Sequence, residues 1–65
     1  MTVIYNLNTK EKLYDNVFLR GFSVKDGDVL NINGERCIVK MIEYFFTGGK
    51  GFITLEEKRV YVVSQ

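Results

Sequence analysis

The 65-residue chain has no histidine, no proline and no tryptophan, and only one cysteine. Without histidine, nucleophilic triads and most acid–base pairs lose the group that carries the proton near neutral pH. One thiol, Cys37, cannot assemble a tetrahedral zinc site and cannot close a disulfide within the chain. No metal and no cofactor are therefore expected. An excess of one charge is also lacking: nine basic and eight acidic side chains leave a formal net charge of +1. That balance exerts no global pull toward nucleic acid or a membrane surface. No stretch approaches the ~20 apolar residues that span a bilayer. Met1–Lys12 has no basic start followed by a long apolar run, so no export signal is expected. With a free cysteine besides, the cytoplasm is the expected compartment.

What the chain does have is hydrophobic and aromatic side chains, 46% and 14% of the residues. A single core in a chain of this size supplies only about 3–5 kcal/mol of net stability unless something assists it. With disulfides and metals set aside, the remaining aids are good packing and self-association. Nine large rings (Tyr5, Tyr14, Phe18, Phe22, Tyr44, Phe45, Phe46, Phe52 and Tyr61) provide ample packing surface.

The pattern is one of short β-rich runs separated by turn residues. Val3, Tyr5 and Leu7 alternate with Ile4 and Asn6 as a first strand, and Asn8-Thr9-Lys10-Glu11 is a polar break. Leu13–Phe22 reads as a short strand, a kink at Asp15-Asn16 and a further strand over Phe18–Arg20. A helix over Thr9–Asn16, capped by Thr9, is the competing reading. Lys25-Asp26-Gly27-Asp28 is a turn, Val29–Ile32 a strand, and Asn33-Gly34 the strongest short hairpin signal there is. On the long strand returning from Glu35, Cys37, Val39 and Met41 share one side, and Ile42, Tyr44 and Phe46 the other. The change of phase near Met41-Ile42 predicts a bulge or sharp bend. Thr47–Gly51 is a glycine-rich loop, Phe52–Leu55 a strand, Glu56-Glu57-Lys58 a turn, and Arg59–Val63 the last strand. Five or six strands in so few residues cannot make an ordinary sandwich. One all-β domain over residues 1–65 is expected, a five- to six-stranded antiparallel SH3-like barrel, with an OB-like barrel as the second choice.

Catalysis is not expected. Cys37 sits mid-strand among apolar neighbours with no imidazole to activate it, and reads as a core residue. The carboxylates of Asp26, Asp28, Glu56 and Glu57 fall in expected turns. The glycine-rich loop lacks the spacing of a phosphate-binding loop and no helix follows it. Binding has two candidate locations. Tyr44, Phe45 and Phe46 are consecutive, and a strand sends successive side chains to opposite faces. Either the strand is covered on both sides, or Phe45 or its neighbours form a contact for self-association or for a protein partner. Lys50, on the glycine-rich tip and flanked by rings, with Arg36 and Lys40 sharing a strand face, forms the alternative, a nucleic-acid or ribosome contact. Glu35, Glu43 and Glu56-Glu57 dilute that basic set. A non-catalytic interaction module, most simply protein–protein, is the leading expectation, with no membrane partner.

The run Lys25-Asp26-Gly27-Asp28-Val29-Leu30, then Ile32-Asn33-Gly34-Glu35-Arg36-Cys37-Ile38-Val39, then Thr47-Gly48-Gly49-Lys50-Gly51-Phe52, resembles the SH3-like (KOW-type) N-terminal domain of elongation factor P. The likeness lies in the order of its turn motifs and covers residues 25–52. It implies a small barrel, and it implies that Lys50 matches a loop-tip lysine that the family presents to the ribosome. Thr47-Gly48 replaces the family's proline-containing approach, the later OB domains are missing, and Met1–Ser23 is longer than the family's lead-in. In size and style the chain is also similar to short accessory proteins of phages and other mobile elements.

Overall fold

A computed structural model describes residues 1–15 and 23–65. Among them are five strands and no helix: β1 (Thr2–Asn6), β2 (Lys12–Tyr14), β3 (Val29–Ile32), β4 (Glu35–Gly49) and β5 (Phe52–Ser64). The further strand expected over Phe18–Arg20, and the rings of Phe18 and Phe22, lie outside the described residues. The strands form one sheet in the order β2-β1-β5-β4-β3. It is an all-β, half-barrel arrangement consistent with a small SH3-like barrel. The pairings are antiparallel except β1 with β5, which run parallel from Thr2↔Lys58 to Asn6↔Val62. A parallel pair cannot be joined by a tight turn, and here all of β2, β3 and β4 intervenes between the two strands.

Local chemistry accounts for the turns. Asn33 (φ +54°) and Gly34 (φ +85°) both take the left-handed region that a two-residue hairpin needs, and they set β3 against β4. Gly27 (φ +93°) turns the chain into β3, and the Asp28 carboxylate accepts from the Lys25 N–H at 3.0 Å. After β1, the Asn6 side chain accepts from the backbone N–H groups of Asn8 and Thr9. The Thr9 hydroxyl accepts from the Glu11 N–H. These side-chain bonds satisfy the backbone in a turn instead of a helix. The helical reading from Thr9 onward therefore gives way to a turn followed by β2, paired with β1.

Ile4, Val24, Cys37, Val39, Val60 and Val62 form the buried core, with Leu13, Leu30, Ile32 and Ile42 packed against it. Among the described residues, the largest fully buried side chains are valines (Val3, Val39, Val60 and Val62), small branched residues suited to a tightly curved sheet. The curl brings the two edge strands together: the Tyr14 hydroxyl of β2 donates to the Asn33 side chain after β3 at 2.7 Å. At that seam lies an open cavity of about 150 Å³, lined in part by Asn6, Leu13, Ile32, Glu35 and Cys37.

Two details of the long hairpin correct the sequence reading. The register against β5 slips between Val39 and Met41, so the extra residue is Lys40. Met41 pairs with Tyr61 on the outer face and is exposed, while Ile42, opposite Val60, joins the core side with Cys37 and Val39. The phase change anticipated near Met41-Ile42 thus falls one residue earlier. The turn expected at Glu56-Glu57-Lys58 is not a turn: β5 runs unbroken through it. A second slip, where Phe45 faces Glu57 and Phe46 faces Leu55, absorbs Glu56 as a bulge.

Candidate functional site

β4 and β5 outrun the rest of the sheet. β3 pairs only with Glu35–Ile38, and β1 only with Lys58–Val62. Beyond those rungs, among the described residues, the two strands pair only with each other, up to Gly49↔Phe52, and form a two-stranded arm. Gly51 (φ +86°) makes the turn at the tip, a conformation without steric cost for glycine.

The arm carries the three consecutive rings, and it separates them. Phe45 points to the outer face and is half-buried. The Arg59 guanidinium lies 4.3 Å from the centre of its ring and 5.3 Å from that of Tyr5. Tyr5 stacks on Tyr61 at 5.6 Å, and the Lys10 ammonium sits 5.4 Å from the Tyr61 ring. The Tyr61 hydroxyl donates to Glu43 at 3.0 Å, and Arg59 donates to Glu57 at 3.0 Å. The Glu57 carboxylate, and after it Tyr61, holds Arg59 still more firmly in its charged form. The outer face is thus a ladder of cations and rings, in which Arg59 is ion-paired with Glu57.

Tyr44 and Phe46 point the other way, on the face that continues the core row of Val39 and Ile42. There the row passes beyond the barrel and is uncovered: Tyr44 is 51% exposed and Phe46 54%. Opposite them on β5, Leu55 faces Phe46 and Ile53 faces Gly48, and these are 45% and 70% exposed. Among the described residues, the charged side chain paired along this face is Lys58, whose ammonium sits 5.7 Å from the Tyr44 ring. Of the three rings singled out from the sequence, two share one open face and the third does not. Ile53 and Leu55 belong to the same face, and the sequence reading passed over them. The loop register carried the signal, because counting back from the Gly49↔Phe52 closure sets Leu55 opposite Phe46.

The basic residues do not converge. Lys50 is exposed at the arm's tip, beside the exposed ring of Phe52. Arg36 pairs with Asn31 at the other end of β4, and Lys40 occupies the bulge between. Cys37 is buried beside the seam cavity, and its thiol donates weakly to the Glu35 carbonyl at 3.8 Å. Burial, and then the nearby Glu35 carboxylate, pushes this thiol up from its ordinary value, which disfavours the nucleophilic thiolate. Among the described residues, no three His, Cys, Asp or Glu side chains come together as metal ligands. No helix there is long and apolar enough to cross a membrane.

No protein-family model, no curated protein and no solved structure matches this chain.

Proposed function

We propose that this chain is a non-catalytic interaction module that binds protein through the open face of the β4–β5 arm, with Tyr44 and Phe46 as anchors. The observation that carries the reading is the contiguous row Tyr44, Phe46, Leu55 and Ile53, left exposed on a ribbon that projects beyond the sheet. An isolated two-stranded ribbon gains little stability by itself. An apolar face held out on one is an expense for folding that a contact surface explains. Rings are also the side chains that supply most of the energy at protein interfaces. The seam cavity, at about 150 Å³, is smaller than the ~300–1,000 Å³ typical of small-molecule sites.

Nucleic-acid or ribosome binding is the second reading. It draws on Lys50, two residues before Phe52 at the loop tip, the lysine that the resemblance of residues 25–52 to the elongation factor P domain implies as a ribosome contact. Arg36 and Lys40 are too far down β4 to reinforce that tip, so the second reading stands on one cation and one ring.

A photo-cross-linking amino acid at position 46, introduced in cells expressing the full chain, tests the proposal. Protein adducts at position 46 that a Tyr44→Ser substitution weakens are the expected result. RNA adducts, or no adducts, would overturn it.

A further inference from the structure

We infer that the partner of the arm is a second copy of the chain, the two arms clasped face to face and antiparallel about a two-fold axis near Phe46 and Leu55. This rests on the reading of the arm as a protein-binding face. Three features of the face favour a copy of itself over a foreign surface.

The first is its shape. The row begins with a large ring, Tyr44, at the barrel end, and reaches Gly48, which has no side chain, toward the tip. An antiparallel two-fold arrangement sets each copy's Tyr44 over the partner copy's Gly48. The Phe46–Leu55 pair then meets its own equivalent at the axis. On the β4 side Tyr44 meets Gly48, on the β5 side the Lys58 stem lies over Ile53, and like meets like at the centre, the self-complementarity that a two-fold interface demands.

The second is charge. Between Ile42 and the tip, the paired positions on this face are Tyr44, Phe46, Gly48, Ile53, Leu55 and Lys58. Lys58 stands at the barrel end against Tyr44, on the rim of the clasp and away from its axis. No like charges are forced together in the buried centre, and the chain's net charge of +1 gives little repulsion between copies.

The third is area. With ~150–250 Å² for an aromatic side chain and somewhat less for an aliphatic one, exposures of 45–70% leave roughly 400 Å² of apolar side chain on each arm. Two arms together remove about 800 Å², and the flanking side chains must add to this to clear the ~1,000 Å² minimum of a specific interface. Edge-to-edge pairing of the arms would leave this surface in water and would enlarge it.

Sedimentation of the full chain across a wide concentration range, together with isotope-filtered NOEs between labelled and unlabelled copies, tests the clasp. The expected result is a rise from the 7.5 kDa monomer mass to twice that value, with intermolecular NOEs from the Tyr44 ring to the Gly48 α-protons. Phe46→Asp and, separately, Ile53→Asp should each return the mass to monomer while the far-UV CD spectrum is kept. A monomer at every concentration would overturn the clasp. So would a dimer that both Asp variants preserve, or one whose intermolecular NOEs connect strand edges without Tyr44 and Gly48. Position-46 adducts to a different protein, seen alongside a monomeric chain, would sink the clasp and leave the interaction module standing. The absence of any protein adduct would sink both.

Discussion

The bulge at Lys40 decides which side chains enter the core, and three alanine substitutions around it give a sharp prediction. Val39 is fully buried, with no exposed surface. Its backbone N–H donates to the Asp28 carbonyl and its carbonyl accepts from Gly27, so the site has little freedom to collapse. Val39→Ala removes two carbons worth about 0.8 kcal/mol each, and the cavity left behind raises the loss to about 2–3 kcal/mol. Against the ~3–5 kcal/mol expected of so small a domain, that is most of the net stability. It corresponds to a drop of roughly 30- to 150-fold in the folded-to-unfolded ratio. Met41, by contrast, faces outward and is 41% exposed, and Met41→Ala should change stability by no more than about 0.5 kcal/mol. Ile42, half-buried against the core, should fall between, at about 1–2 kcal/mol for Ile42→Ala, since only part of its side chain leaves an apolar environment. Urea unfolding followed by far-UV CD reads all three, because the chain has no tryptophan to report. Strict alternation through Val39 and Met41 would make Met41→Ala as costly as Val39→Ala. That result would refute the placement of the bulge, and with it the face assigned to Tyr44 and Phe46.

Arg59→Gln should lower the melting temperature and shift the NMR signals of the Phe45 and Tyr5 rings, because Arg59 lies between them; unchanged ring signals would show that the cation–ring ladder does not form. The raised Cys37 thiol sets a pH dependence. As pH climbs past the ordinary value of 9.0, the unfolded chain releases this proton while the folded state still holds it. The associated stability is therefore complete below that pH and is lost as pH rises through the folded value. Cys37→Ala should flatten the alkaline fall of the urea midpoint, and an equally steep fall in the variant would remove Cys37 as its cause. Tyr14→Phe deletes the hydroxyl that joins β2 to the β3–β4 turn, at an expected loss of about 0.5–1 kcal/mol for one exposed hydrogen bond. No change in the urea midpoint would mean the seam is held without it.

The parts of the fold that were legible in the sequence are those written in local chemistry. Asn33-Gly34 and Asp26-Gly27 announce their turns because few other residues accept positive φ, and β3 occupies Val29–Ile32, the run expected between them. Cys37 was expected in the core and is there. What escaped the reading depends on residues distant in the chain. Nothing local marks the parallel pairing of β1 with β5. Glu56-Glu57 has the polarity of a turn, yet it continues β5. The bulge and its side-chain partners hold it there: the Thr47 hydroxyl donates to Glu56 at 3.1 Å, and Glu57 accepts from Arg59. The consecutive rings were legible as a problem, since one strand cannot send all three into one core. Which ring is sheltered was not, because Phe45 is covered by Arg59 from the neighbouring strand and by no residue near it in sequence.

The most direct test of the arm as a protein contact is an amide NMR spectrum of the labelled chain at two concentrations, then with a mixed-sequence RNA at low salt. The account predicts concentration-dependent shifts or broadening at Tyr44–Phe46 and Ile53–Leu55, and no response to RNA. Shifts on adding RNA that centre on Thr47–Phe52, with Tyr44, Phe46 and Leu55 unmoved by concentration, would contradict it and give the tip lysine the leading role.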